Sequence, residues 1–443
     1  MVLSLLLLGT LGSLFFYLTI VLTRRYYRLK QNGATQPLLH KLHQKHGTLV
    51  RIGPDTVSFR DPAYISTVFS PRGGFIKADS YSSLRAFVHG RSVGSILDLQ
   101  DEEKRKAIKR AIGTVFLTNE LMQLYQLDFM LRIAFSEDTG CLRQGRDLVG
   151  LSSLTYQRIA HGYAWQPAPS LERFVFQNKL WSGWLSRSSR WAREGMTRVE
   201  TRRRAPFVSS PKTTGRRKDL LEKYIAASEK HPDAIPPPTL FSITNSTISA
   251  GTDTTAGTVT VILSYLLRNP LTLSKLLREL ESAGVGFPVL YAATENLPYL
   301  DAVIKEALRL HAVIGTTLER MVPPQGCMPG GVKLPGGTVI GCAPYVIHRD
   351  QEIYGEDIED FRPERWLGCD EARKQTMERA SLAWSQGSRI CMGKHLAELE
   401  MKKLIPTLLW KFDLSDPDRR IVFEKRLLEG EERPILIMAT SRR

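Results

Sequence analysis

Trp384-Ser385-Gln386-Gly387-Ser388-Arg389-Ile390-Cys391-Met392-Gly393 decides how the rest of the chain is read. Glycines at Gly387 and Gly393 allow a tight turn and a close backbone approach to something flat, which residues bearing a Cβ resist. Downstream, Leu396, Leu399, Leu404, Ile405, Leu408 and Leu409 recur near helical spacing, so Cys391 is predicted at the N-terminus of a buried helix. A helix N-terminus and a neighbouring arginine both favour thiolate, as ligand or nucleophile. Taken alone, the stretch also suits a buried structural cysteine.

The spacing separates these readings. Aromatic-x-x-Gly-x-Arg-x-Cys-x-Gly resembles the haem-binding loop of the cytochromes P-450, the haem–thiolate monooxygenases. The resemblance implies haem b with Cys391 as axial ligand to iron, a thiolate that pushes electron density toward O–O cleavage. It further implies that Arg389 holds a haem propionate and that Trp384, Gly387 and Gly393 shape the cofactor loop. The family usually has Phe where this chain has Trp384, which bears on the reduction potential.

A second stretch agrees. Pro236-Pro237-Pro238 precedes a helix predicted from about Thr239 to Arg268, stopped by Asn269-Pro270. Inside it, Ala250-Gly251-Thr252-Asp253-Thr254-Thr255 is a run of poor helix formers, whose side chains compete for backbone hydrogen bonds. Such a run predicts either a helix kinked or opened for function, or a polar face packed on another helix. The resemblance implies the first: Gly251 makes room for dioxygen, and Asp253 and Thr254 form the acid–alcohol pair that relays protons.

Leu297 to His311 is predicted as a helix with Leu300, Val303, Ala307, Leu308 and Leu310 on one face, and Glu306 and Arg309 neighbours at i, i+3. Alone, that pair says little. Leu318-Glu319-Arg320-Met321-Val322-Pro323-Pro324, strand-like Thr338–Cys342, Tyr345-Val346-Ile347-His348-Arg349-Asp350 and Phe361-Arg362-Pro363-Glu364-Arg365-Trp366 follow in the order of the family's K helix, sheet segment and meander. The resemblance implies a buried structural triad of Glu306, Arg309 and Arg365, and a further propionate contact from Arg320. The local phrasing resembles fungal secondary-metabolism members, including the pisatin demethylase group.

The 443 residues bury a large core, and no linker-like run divides them. The fold class expected is mainly α with a small β-sheet region: a transmembrane anchor over 1–23 and one catalytic domain over 24–443. Val2 to Leu22 carries no charge and is long enough to span a bilayer; Arg24, Arg25, Arg28 and Lys30 follow. By the positive-inside rule the catalytic part faces the cytosol, with the anchor in the endoplasmic-reticulum membrane. A cleaved secretory signal fits worse, lacking a basic n-region and a cleavage site.

Lys and Arg total 61 against 45 Asp and Glu, a net charge of +16. The basic residues are scattered and no nucleic-acid module is visible, so nucleic acid is not an expected partner. A basic face suits an acidic electron donor and anionic lipid. The arginines from Arg187 to Arg204 read as a solvated helix face, or as a membrane contact. Five cysteines without a C-x-x-C pair suggest no disulfide framework. With no flavin or nicotinamide fingerprint in the chain, the resemblance implies electrons from NADPH through a separate NADPH–cytochrome P-450 reductase, with cytochrome b5 as a second donor, for oxidation of an apolar small molecule.

Three departures stand out. Lys30 to Gln36 lacks the proline-rich hinge usual in membrane-bound members. The positions of the family's C helix that hold Trp or His and Arg carry Arg105 and Lys109; Lys109 can bind a propionate as a point charge. Between Phe135 and Gly145 most of a helix found in relatives is missing. Two alternatives stay open: a reductase-independent haem–thiolate isomerase or dehydratase, and a shortened variant with impaired catalysis.

Overall fold

The structure is a computed structural model that describes residues 35–93 and 123–439, apart from 54, 71–73, 85, 89–90, 145–148, 151–154, 156–160, 163–164, 166–168, 177–187, 205–218, 416–420 and 426–435. The expected anchor, the stretch holding Arg105 and Lys109, and Arg187 lie outside the described residues. Among the described residues, no helix is long and apolar enough to cross a membrane.

Helix α1 (Thr35–His46) leads into the antiparallel hairpin β1 (Leu49–Arg51) and β2 (Thr56–Phe59), as the turn signal at Gly53 and Asp55 predicts. Helix α2 (Pro62–Val68) has Pro at its first position and is capped by Asp61, which accepts the Ala63 N–H at 2.9 Å. Strands β3 (Ile76–Lys77), β4 (Ala86–Val88) and β5 (Arg91–Val93) follow; β4 and β5 form a hairpin. The middle of the chain supplies α3 (Gln123–Phe135), α4 (Cys141–Gln144), α5 (Pro169–Phe176), α6 (Ser188–Arg204) and α7 (Leu220–Lys230).

Helix α8 (Pro237–Arg268) is followed by α9 (Pro270–Ser282) and α10 (Pro298–Leu310). Strands β6 (Leu318–Met321) and β7 (Val339–Cys342) complete a five-stranded sheet in the order β1-β2-β7-β6-β3, in which only β2 and β7 pair in parallel. The stretch after β7 is not sheet: Pro344–Ile347 forms one helical turn, α11, because Pro344 sets a helical φ and Val346 and Ile347 bury. Helices α12 (Gln351–Tyr354), α13 (Glu371–Ala380) and α14 (Lys394–Lys411) and an antiparallel sheet of β8 (Phe412–Ser415), β9 (Ile421–Lys425) and β10 (Leu436–Ala439) end the described chain. The architecture is mainly helical with a small mixed sheet.

Helix α8, about 48 Å long at 1.5 Å per residue, belongs to two hydrophobic cores. Its first half packs Leu240, Ile243 and Ile248 against Leu127, Met130 and Leu131 of α3 and Tyr224 of α7. Its second half packs Val259, Ile262 and Leu266 against Leu300, Val303 and Leu310 of α10 and Met401 and Leu404 of α14. No break interrupts it at Gly251–Thr255. The threonine hydroxyls bond back to carbonyls one turn earlier, Thr252 to Ile248 at 2.8 Å and Thr258 to Thr254 at 2.8 Å, so side chains that usually compete with a helix are satisfied within it. The helix is continuous where an opening was one of the two expectations.

The junction after Phe135 is sutured by charge. Asp128 accepts Thr139 Oγ1 at 2.6 Å and the Cys141 and Leu142 N–H groups at 2.7 and 2.8 Å, capping α4 from a neighbouring helix. Arg202 of α6 donates to the Phe135 carbonyl at 2.7 Å and grips Asp219, the N-cap of α7, at 2.8 and 3.0 Å. Arg198 pairs with Glu137 at 3.2 Å. These two arginines are therefore clamps rather than part of a solvated face, whereas Arg203 and Arg204 are exposed.

Burial alone would raise the Asp128 carboxyl, but the bonds from Thr139, Leu142 and Cys141 outweigh it and hold the group below the ordinary carboxylate range. A depressed carboxyl stabilises the fold above its unfolded value and loses that contribution as pH falls through its folded value. Asp128→Ala is expected to cost about 1–2 kcal/mol at neutral pH, read from denaturant melts. The gap between parent and variant should close as the melts are repeated at falling acidic pH.

Candidate active site

The Trp384–Gly393 loop is built by backbone bonds. The Ser385 N–H donates to Leu382 O at 2.9 Å, and the Cys391 N–H reaches back to Trp384 O at 2.8 Å, closing the loop. Two residues lie in the left-handed region, Gly387 at φ +61° and Ser385 at φ +57°. The first is natural for glycine; the second is uncommon and is kept by the bonds on either side of it. Gly393 is the N-cap of α14, so Cys391 stands just before that helix, as its spacing predicts. Cys391 is exposed, while Leu396, Met401 and Leu404 face inward.

The thiol is not lowered in the protein as it stands. Desolvation by the surrounding chain pushes it above the ordinary thiol value, although N–H groups of Gly393 and Lys394 and the Lys394 charge act the other way. The helix N-terminus expected to stabilise thiolate is thus present at the sulfur, and desolvation outweighs it.

The loop's flanks reach both cores. Met392 packs in the cluster containing Ile248, and Trp384 in the cluster containing Val259. Gly251, Asp253 and Thr254 lie between those two positions on α8. Thr254 Oγ1 donates to Ala250 O at 2.6 Å, and Asp253 is half-buried. A Cβ on Gly251 would sit 2.9 Å from Cε and Sδ of Met130, so this glycine permits close packing of α3 on α8. Arg320 is buried on β6, donating to Glu319 O at 2.8 Å and stacking over Phe69 at 4.7 Å. Arg389 is half-buried on the loop.

Behind these residues, Glu306 is fully buried. Arg309 approaches it as a fork, Nη2 to Oε1 at 2.8 Å and Nε to Oε2 at 2.9 Å. Arg365 Nε donates to Oε1 at 3.2 Å, Trp366 Nε1 to Oε2 at 2.9 Å and the Arg362 N–H to Oε1 at 3.2 Å. Asp357, half-buried, takes Arg365 Nη1 at 2.7 Å, a second carboxylate for that arginine. Desolvation would raise Asp357, and Arg365 and Arg362 more than offset it, holding the carboxyl low. The triad expected from Glu306, Arg309 and Arg365 is one body here.

Sequence reasoning missed Asp357 and Trp366 as members, and it missed His348. That ring is fully buried, with Nδ1 3.0 Å from Arg309 O and Nε2 2.8 Å from the Leu382 N–H. The available signal was a lone histidine directly after the apolar pair Val346-Ile347.

A sequence profile described as cytochrome P-450 matches residues 85–433. A cytochrome P-450 monooxygenase of Aspergillus terreus is 33% identical over 422 residues, covering 84% of each chain. The cytochrome P-450 monooxygenase cicH of Emericella nidulans is 30% identical over 434 residues, covering 89% of this chain and 86% of its own. One named mfmA, from Annulohypoxylon moriforme, is 32% identical, covering 85% and 82%. The chain belongs to the cytochrome P-450 family. It is an oxidoreductase of the monooxygenase type, in which haem is held by a cysteine thiolate and electrons derive from NADPH through a reductase.

The residues present fit that group. N–H groups of Gly393 and Lys394 are directed at the sulfur of Cys391, which suits a bound thiolate. Nearby, Nε and Nη1 of Arg389 are buried without a hydrogen bond, while that residue does interact elsewhere with the protein. Glu306→Ala, which strands two arginines in the interior, is expected to cost about 3–5 kcal/mol. A cooperative thermal melt of the purified variant that matches the parent would refute this.

Proposed function

We propose that this chain is a membrane-anchored haem–thiolate monooxygenase of fungal secondary metabolism that inserts one oxygen atom into an apolar small molecule. The observation that carries the reading is the Cys391 loop: an exposed thiol before α14, closed by the Cys391 N–H to Trp384 O bond of 2.8 Å. Haem b, bound through Cys391, supplies the activation of dioxygen. The second oxygen atom leaves as water, with two electrons from NADPH delivered by a separate reductase and cytochrome b5 as a further donor. Val2 to Leu22 is the anchor, and the endoplasmic-reticulum membrane with its cytosolic face is the location.

The chain's own residues bind and move protons. Arg389 and Arg320, with Lys109, provide the cations for the propionates. Gly251 keeps a Cβ off α8 about one turn after Ile248. Asp253 and Thr254 are the acid and the alcohol of the relay: for the Thr254 hydroxyl to hand a proton on, its hydrogen turns away from Ala250 O, to which it donates at 2.6 Å, as a proton is taken up from the acid. The acid–alcohol pair favours this reaction over a reductase-independent isomerase or dehydratase, which needs no proton delivery to reduced oxygen.

Cys391→Ala is expected to abolish the thiolate band in the reduced, carbon-monoxide-bound difference spectrum; a variant that keeps the band removes Cys391 from the iron. Thr254→Ala should still consume NADPH with a reductase, yet release several-fold more hydrogen peroxide per NADPH, and Thr254→Ser should restore coupling. Equal coupling in all three proteins would show that Thr254 has no part in proton delivery.

A further inference from the structure

We infer that His348 is a positioning residue for the cysteine loop, tying the end of α10, and through it the buried Glu306–Arg309 pair, to the backbone where that loop begins. The inference rests on Cys391 as the iron ligand.

Three segments distant in sequence meet at this ring. Arg309 lies in the last turn of α10, where carbonyls have no partner within the helix. His348 Nδ1 meets the Arg309 carbonyl at 3.0 Å, and the neighbouring Arg349 Nη2 meets that of Leu310 at 3.0 Å. The tie is returned, since Arg309 Nη1 donates to the His348 carbonyl at 3.0 Å. On its other side the ring receives the Leu382 N–H at 2.8 Å. Leu382 in turn anchors the turn to Ser385, and Trp384 within that turn accepts the Cys391 N–H.

The partners define the tautomer. A carbonyl only accepts and an N–H only donates, so Nδ1 carries the hydrogen and Nε2 is bare. Burial drives the ring down to about 3, with the Arg309 carbonyl opposing, so one neutral form persists across the working pH range. Tyr354 packs edge-on against the ring at 6.3 Å. A rigid, two-sided link of this kind transmits the position of the charged cluster to a loop that holds Ser385 at positive φ. Without it, the loop is free to relax, and the sulfur's distance and N–H contacts relax with it.

His348→Asn separates the two bonds, because its amide nitrogen reaches the place of Nδ1 but nothing reaches that of Nε2. The variant is expected to load haem in full, yet to show a several-fold higher ratio of neutral-thiol to thiolate band in the reduced carbon-monoxide spectrum and a displaced reduction potential. His348→Gln, which carries a donor and an acceptor farther out, should recover much of both. A folded, haem-loaded His348→Asn protein with the parent's band ratio and potential would overturn the inference, whatever its melting temperature.

Should His348→Asn not fold, the parent holoenzyme decides. Exchange of the Leu382 amide only through global unfolding, together with an Nδ1–H tautomer in nitrogen NMR, supports the link; exchange at the rate of an exposed loop amide overturns it. Cys391→Ala distinguishes the two levels of the argument. If it keeps the thiolate band, the ligand assignment fails; if it loses the band while His348→Asn stays like the parent, only this inference fails.

Discussion

A carboxylate with no access to water holds this fold in order. Burying Glu306 is costly unless every lone pair is met and its charge is balanced. Five donors converge on it, from Arg309, Arg365, Trp366 and the Arg362 backbone. Each donor fixes a segment: Arg309 sits on α10, while the others come from the irregular chain before α13. Arg309 also binds the carbonyls of His348, Ile358 and Asp360, so backbone that forms no regular ladder still has its acceptors paired. The carboxylate and Arg309 thus join the short helical turns and irregular backbone between residues 348 and 366.

The cysteine loop depends on that organisation, since a loop with Ser385 and Gly387 both at positive φ has little local reason to keep its shape. Its ends are held by packing, Trp384 against the second core and Met392 against the first, and its closure by the Cys391 to Trp384 bond. Helix α8 contributes to both cores and carries Asp253 and Thr254 between its residues in the first core and those in the second. Its threonines are compatible with an unbroken helix because each back-bonded hydroxyl is already satisfied. The polar run therefore costs α8 little, and the acid–alcohol pair is carried on a rigid element rather than on a loop.

The stretch after Phe135 is joined by charge. Asp128 stands against the N–H groups of α4, and Arg202 against the Phe135 carbonyl and Asp219. The backbone groups left over at these helix ends are met by charged side chains from neighbouring helices. This suture belongs to the first core, on the face of α8 formed by α3 and α7. The second core, with α10 and α14, is built without it. The junction thus leaves the helix ends around it paired.

Much of this could be read from the chain alone. The spans of α8 and α10 and the start of α14 follow from apolar spacing and prolines, because helix periodicity is a local property. The glycine-framed cysteine, the acid–alcohol pair and the Glu306–Arg309 spacing were legible as patterns for the same reason. What the tertiary structure alone decided is which polar atoms meet. Asp357 completes the Glu306 cluster, Trp366 donates into it, Asp128 caps a helix it does not belong to, and His348 joins Arg309 to Leu382 across gaps of 39 and 34 residues. Such bonds carry no period. They depend on how burial removes water from groups far apart in sequence, and that is settled only when the helices pack. The Cys391 thiol shows the same division: its place before α14 is written in the spacing, whereas the balance between desolvation and the helix N–H groups is set by the atoms that surround it.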